Sequence, residues 1–261
     1  MFQPLVLRDV PSEIQEDCTE SQQVQSQEIQ QQIYNLLSIN STIVIRQFPS
    51  QGLSFQLWPA ATTLVTLLDR HHPCITTPLS AVLNGSGATQ HRPIRILELG
   101  SGTGVVGIAA AAVLGGSVTV TVTDLPHVLP NIQFNVNANA EMLKHHGGAV
   151  EVAALSWGDT YNMEAIGREF DLIMGSDLVY HDHLYEPLLE TLKFLLLKSE
   201  KRIVFLMAHE KRWKKESAFF KKAKKSFDVE IIHNDEPSNG SRVGVVVYQF
   251  AGKLNPKSAD L

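Results

Sequence analysis

Cysteine is nearly absent from this 261-residue chain, with Cys18 and Cys74 the two thiols. Neither sits at metal-ligand or redox spacing, so a disulfide framework and a cysteine-built metal centre are excluded, and a reducing compartment is expected. Long apolar runs are missing as well. The longest, such as Val105 to Leu114, fall well short of a bilayer span, and no N-terminal block joins a basic start to a long apolar core. A soluble, unsecreted protein is therefore expected, cytoplasmic or with access to the nucleus, without a membrane partner and monomeric. Nor is there an excess of positive charge. Lys and Arg number 22 against 27 Asp and Glu, a net charge of −5, so nothing global favours nucleic acid as a partner. What the chain does have is 44% apolar residues, enough at this length for the core of one large α/β domain.

The informative segment is Arg95-Ile-Leu-Glu-Leu-Gly-Ser-Gly-Thr-Gly104, followed by an apolar helical run and then Val118-Thr-Val-Thr-Val-Thr-Asp124. It reads as a buried strand, a glycine turn, a helix and a second strand ending in a carboxylate, the first half of a nucleoside-cofactor site. Glycines let backbone approach a ligand, the helix start offers N–H groups to an anion, and Asp124 can accept from both ribose hydroxyls. Gly102, Gly104 and Gly107 also satisfy the G-x-G-x-x-G spacing of a dinucleotide site. Glu98 discriminates. Placed at the strand end and facing the loop's ligand, its carboxylate would repel a diphosphate but attract the ammonium and sulfonium of S-adenosylmethionine. The loop also lacks Lys and Arg to neutralise phosphate, which favours S-adenosylmethionine over NAD.

Elsewhere the pattern alternates. Thr42 to Gln47 reads as a strand paired with Leu53 to Leu57 across a Pro-Ser-Gln-Gly turn, and a helix opens at Trp58-Pro59 and runs to about Arg70. After a Pro/Gly/Ser-rich linker over 71–92 come strand 94–99, helix 103–114, strand 117–123, helix 127–140, strands 149–154 and 170–176, helix 183–197 and strand 202–208. A helix over about 213–225 and strands 228–233 and 243–250 complete the series. The fold expected is α/β and Rossmann-like: a seven-stranded, mostly parallel sheet with an antiparallel edge hairpin, helices on both faces, and a small N-terminal β-hairpin. Residues 1–40 read as a flexible or partly helical lead-in, with the glutamine-rich Ser21 to Gln32 frayed; residues 41–252 form the domain, and 253–261 a loose tail.

In an open sheet of this kind ligands lie at the carboxyl ends of the strands. Those ends hold Glu98 to Gly104, Asp124-Leu125, Leu155-Ser-Trp157-Gly158, Ser176-Asp-Leu-Val-Tyr180 and Ala208-His-Glu-Lys-Arg212. With Leu57-Trp58-Pro59-Ala60-Ala61, Asn131 and the Asn135 and Asn139 positions, and above all Asp177-Leu-Val-Tyr180, the chain resembles the seven-strand, class I methyltransferases over roughly residues 50–250. Within them it resembles the methyltransferase-like protein-lysine methyltransferases, a group that includes the enzymes acting on valosin-containing protein and on heat-shock-protein-70 chaperones. The resemblance implies S-adenosyl-L-methionine as cofactor, with S-adenosyl-L-homocysteine as product, and a pocket of Trp58, Gly100, Ser101, Gly102, Asp124, Trp157 and Ser176. Glu98, Gly104 and Leu125 join it from the neighbouring strand ends. It implies a protein partner presenting a lysine, a chaperone or AAA-type ATPase among the candidates, and substrate contacts in His209 to Arg212.

Physical chemistry assigns roles consistent with that pocket. Trp58 would close over the methionine end of the cofactor, attracted to the sulfonium by roughly 0.5 to 2 kcal/mol, and Trp157 would border the adenine. A lysine amine with pKa about 10.4 must be presented neutral, which at pH 7 costs roughly 4.6 kcal/mol. Asp177 would orient that amine and Tyr180 would wall its channel. Whether Asp177 removes the proton is left open, because its charge also favours the protonated amine. No metal is required, and His181, Asp182 and His183 lack a further ligand at suitable spacing. Lys221, Lys222, Lys224 and Lys225 read as the solvated face of a helix whose apolar face comprises Trp213, Phe219, Phe220, Ala223 and Phe227. A small-molecule methyltransferase and a catalytically silent cofactor-binding module stand as alternatives.

Overall fold

The computed structural model describes residues 29–70, 93–116, 118–197, 203–237 and 244–253. The lead-in through residue 28, the 71–92 linker, the tail from 254 and both cysteines lie outside the described residues. Among these residues, seven strands form the main sheet: β3 (Ile94–Leu99), β4 (Val118–Asp124), β5 (Ala149–Ala154), β6 (Leu172–Ser176), β7 (Val204–Glu210), β8 (Phe227–Asn234) and β9 (Val245–Gly252). Their order is β5-β4-β3-β6-β7-β9-β8. The pairs through β7 are parallel, while β9 runs antiparallel to both β7 and β8, so the second strand of the edge hairpin is the inner one. Strand order reverses between β3 and β6, which puts the glycine loop and Ser176-Asp177 side by side at the switch point.

Side chains alternate across this sheet with period two, and both faces are apolar. Ile96, Leu172, Met174, Leu206 and Ala208 enter one core, beneath helices α1 (Pro59–Asp69) and α2 (Val105–Leu114). Leu97, Leu99, Ile173, Phe205 and Met207 enter the other, beneath α6 (Tyr185–Leu197) and α7 (Ser217–Ala223). Helices on both faces account for strands that read as continuous apolar runs. The alanine-rich α2 is pressed hard onto the sheet. A Cβ at Gly107 would lie 2.2 Å from Val122 Cγ1 and 2.8 Å from Glu98 Oε2, so only glycine fits there.

The helix expected over 127–140 divides at Asn139 into α3 (Leu129–Ala138) and α4 (Ala140–His146), and a helix absent from the sequence reading, α5 (Thr160–Ile166), follows β5. Asp159 caps α5, accepting from the Asn162 N–H at 2.8 Å. The N-terminal hairpin exists, but its partner strand differs from the expected one. Strand β2 (Ser41–Gln47) pairs with β1 (Gln30–Leu36), which takes up Gln30 to Gln32 of the supposedly frayed segment, and Leu53–Phe55 is a 3-10 turn.

The reason lies at the other edge of β2. Asn135 accepts from the Arg46 N–H at 2.9 Å and donates to the Arg46 carbonyl at 3.1 Å; Asn139 does the same with Val44 at 2.9 and 2.8 Å. Two asparagines one helical turn apart thus imitate a neighbouring strand. With that edge satisfied, β2 has room for one partner strand, and β1 takes it.

Candidate functional site

At the switch point the chain leaves β3 through Gly100, Ser101 and Gly102. Gly100 and Gly102 have φ of +56°, in the left-handed region. A Cβ on Gly100 would sit 2.8 Å from Leu178 Cδ2 and 3.0 Å from Trp157, so the turn packs tightly against the segments that follow β6 and β5. Ser101 ties the loop to β4: its N–H donates to the Thr123 carbonyl at 2.8 Å, and its hydroxyl accepts from the Thr123 N–H at 3.0 Å. Asp124 completes the turn, one carboxylate oxygen accepting from the Gly102 N–H and the other from the Leu125 N–H, both at 2.8 Å. Burial raises its pKa despite those two donors. Each oxygen keeps a lone pair for a further donor.

These residues wall a cavity of about 320 Å³, near the lower end of the range for small-molecule sites. Trp58, Gly100, Ser101, Gly102, Asp124, Leu125, Trp157, Ser176, Asp177 and Tyr180 all line it. Gly104 does not. It lies one step outside as the N-cap of α2 in a left-handed conformation.

Glu98 departs from its expected place. Its side chain points away from the cavity, with 1% of the residue exposed, and accepts from the Gly107 N–H at 2.9 Å. The strand alternation that sends Leu97 and Leu99 to one face sends Glu98 to the other, into the gap that Gly107 leaves in α2. Burial, the dominant cause, pushes its pKa up to about 8, so at neutral pH it is mostly the uncharged acid. It caps the first turn of the helix rather than presenting a charge to a ligand.

Asp177 has partners that the sequence did not reveal. It is one half of a partly buried ion pair: Oδ2 accepts from Arg212 Nη2 at 3.0 Å and Oδ1 from the Glu210 N–H at 3.0 Å, with the side chain 6% exposed. Its φ of +53° is left-handed, held by its own N–H donating to the Ala208 carbonyl at 2.9 Å. Arg212 reaches back to Glu210 Oε2 at 2.7 Å, and its guanidinium lies 5.1 Å from the Trp58 ring centroid. Behind them, His209 contacts Glu216 Oε2 at 3.1 Å and stands 3.7 Å from Asp177 Oδ1. Burial lowers the His209 pKa, against the opposing pull of the two carboxylates.

Tyr180 lies across the cavity with its ring 4.8 Å from His181. Burial raises its pKa, and the Asp124 charge adds to the rise, so the phenol stays protonated. Trp58 is anchored by its indole N–H donating to the Leu53 carbonyl at 3.0 Å, and Leu57 by Gln47 Oε1 at 2.7 Å, so the hairpin and its following turn hold the cavity's roof.

Several lining residues escaped the sequence reading. Leu53, Ser54 and Gln56 sit in a turn read as a strand, Leu184 ends the 3-10 turn before α6, and Pro187 lies in the first turn of that helix. Trp213 is not on the buried face of a helix as expected; it precedes the 3-10 turn Lys214–Glu216, is 50% exposed and lines the cavity, as do the exposed Leu53 and Leu125. An aromatic next to Arg212 at a strand end was the available signal, outweighed by its apparent helical spacing.

A doubly wound sheet with a glycine turn, a following acid and an aromatic cavity at its switch point defines a nucleoside-cofactor enzyme of the class I methyltransferase architecture. The solved structure of PH0793 from Pyrococcus horikoshii has that fold, with a TM-score of 0.52, 11% identity and coverage of 88% of this chain and 74% of its own. A family model described as lysine methyltransferase matches residues 38–226. Mouse protein N-lysine methyltransferase METTL21A is 34% identical over 75% of this chain and 79% of its own. Mouse EEF1A lysine methyltransferase 3 is 31% identical over 72% and 70%. The chain belongs to the lysine methyltransferase family, whose members transfer a methyl group from S-adenosylmethionine to protein lysines.

Proposed function

We propose that the described cavity is where both reactants meet: S-adenosylmethionine against the glycine loop, Asp124, Leu125 and Trp157, and the substrate lysine against Trp58, Asp177 and Tyr180. The observation that carries this is the convergence of the two residue sets on one cavity at the switch point. The donor set fits the cofactor. Asp124 keeps lone pairs for ribose hydroxyls, the loop presents backbone rather than cationic side chains, and the aromatic walls suit an adenine and a sulfonium.

When bound, the cofactor supplies an electrophilic methyl group on a sulfonium; transfer needs alignment and a shaped electrostatic pocket rather than a covalent partner from the protein. Asp177 orients the amine through the lone pairs that Glu210 and Arg212 leave open. Tyr180 walls the channel with a neutral hydroxyl, and Trp58 excludes water from above. Glu98 serves from behind the loop by fixing the first turn of α2.

The substrate is a protein surface rather than a free amino acid, a reading supported by the exposed apolar rim of Leu53, Leu125 and Trp213. Chaperones and AAA-type ATPases are candidates in a cytoplasmic setting, and the relative named for EEF1A adds that protein to the set. Tritiated S-adenosylmethionine, the purified protein and a cell extract form the test, with labelled bands analysed by mass spectrometry. Methyl-lysine on a discrete band is expected. Cofactor binding with no labelled protein would overturn the reading in favour of a small-molecule substrate or a silent module.

A further inference from the structure

A carboxylate that holds a lysine amine presents a chemical difficulty. An anion within hydrogen-bond reach stabilises the ammonium form, whose nitrogen has no lone pair with which to attack a methyl group. Asp177 alone would therefore work against the reaction that its position serves. The cavity holds an answer in Arg212, whose guanidinium lines the same wall and bonds to Asp177 Oδ2 at 3.0 Å.

Arg212 is not a loosely hanging side chain. Nη2 is shared between Asp177 and Glu210 Oε2, Nη1 donates to the Glu210 carbonyl at 3.4 Å, and the Arg212 backbone N–H donates to Glu216 Oε2 at 3.1 Å. The side chain is 24% exposed and spans the gap between Asp177 and the Trp58 ring. The groups facing it from neighbouring elements are Asp177 after β6, His209 and Glu210 on β7, and Glu216 in the following turn; Asp124, Tyr180 and His181 complete the ionisable lining of the cavity. Among these charged groups of the described site, Arg212 is the permanent cation.

We infer that Arg212 is a positioning residue for methyl transfer: by compensating Asp177 it allows that carboxylate to orient the substrate amine without holding it as ammonium. This rests on the reading that the lysine enters beside Asp177. Removing Arg212 raises the pKa of the bound lysine, so less of it is neutral near pH 7 and the acid limb of the rate profile moves to higher pH. The same compensation lowers the attraction of the channel for permanent cations, which carry no transferable proton.

The test is the pH dependence, from pH 6 to 10, of the maximal rate of tritium incorporation into whichever protein band the wild-type enzyme labels. Arg212→Gln is expected to shift the acid limb upward by about one pH unit and to lower the rate at pH 7 by about tenfold, since the neutral fraction falls tenfold per unit. Above the limb its rate returns toward wild type. Arg212→Lys keeps a cation there and is expected to restore most of the profile. Calorimetric binding of S-adenosylmethionine to each variant confirms a folded cofactor site.

A uniform loss at every pH, with Arg212→Lys as impaired as Arg212→Gln, would mean a merely structural role and overturn the inference. So would an unchanged profile. A faster rate at neutral pH would show that Arg212 blocks the channel, which also overturns it. Wild-type enzyme that labels no protein fails at an earlier point, the lysine reading itself, and takes this inference with it.

Discussion

Replacing Asp124 with alanine probes the cofactor half of the cavity. Its carboxylate already accepts two backbone N–H groups at 2.8 Å, from Gly102 in the glycine loop and from Leu125. Hydrogen bonds to a charged group contribute about 1.5 to 3 kcal/mol each. The substitution removes the bonds proposed to the cofactor ribose and also frees the Gly102 N–H, so the loop loses the anchor that fixes its left-handed geometry. Losing a single such ligand bond already predicts a rise in Kd of roughly 10- to 150-fold, and the loosened loop adds to it. Asp124→Asn should fall between, because its amide offers one acceptor where two donors converge. Isothermal titration with S-adenosylmethionine and S-adenosylhomocysteine measures the effect, with thermal melts to confirm the fold. Because burial raises the Asp124 pKa, the wild-type affinity should also begin to fall on acidification above the ordinary carboxylate range. A Kd within about twofold of wild type in a well-folded Asp124→Ala protein would remove Asp124 from the cofactor site.

Glu98→Gln should remove a pH-dependent penalty. With a folded pKa of about 8 against 4.5 unfolded, Glu98 contributes stability that is fully present below pH 4.5 and lost as pH rises toward 8. Unfolding free energies from denaturant titrations between pH 5 and 9 should show the variant gaining on wild type with rising pH, by on the order of a few kcal/mol; parallel curves would count against a buried acid. Asn135→Ala should cost about 3 kcal/mol, since this fully buried amide bonds to the Arg46 N–H and carbonyl and to the Thr103 carbonyl in the glycine loop. Limited proteolysis should then cleave the β1–β2 hairpin, and resistance equal to wild type would show the hairpin is held elsewhere. Asp177→Asn should leave cofactor affinity within a few-fold of wild type while suppressing methyl transfer by at least about tenfold; transfer at normal rate would remove Asp177 from the reaction.

The parallel sheet was readable because its strands are buried on both faces and separated by glycine, asparagine and proline turns. β3 and β5 fall on their expected residues, and β4, β6, β7, β8 and β9 lie within two residues of theirs at each end. Most of the cavity lining was readable for a related reason: in this topology strand ends are the site, and Asp124 and Ser176 end strands while Trp157 and Tyr180 follow them. What escaped depended on partners distant in sequence. β1, with three consecutive glutamines, has little intrinsic strand preference and forms because β2 needs a neighbour. The true environment of Glu98 depended on which face of the sheet Gly107 leaves open. Arg212 and Asp177 lie 35 residues apart, and their ion pair exists only because β6 and β7 are adjacent in parallel register.

A crystal structure with S-adenosylhomocysteine would test most directly the claim that one cavity holds both reactants. The ribose hydroxyls are expected within hydrogen-bond distance of Asp124 and the sulfur facing the Trp58, Asp177 and Tyr180 wall, with Arg212 still paired to Asp177. Cofactor bound elsewhere, or with its sulfur directed away from that wall, would contradict it.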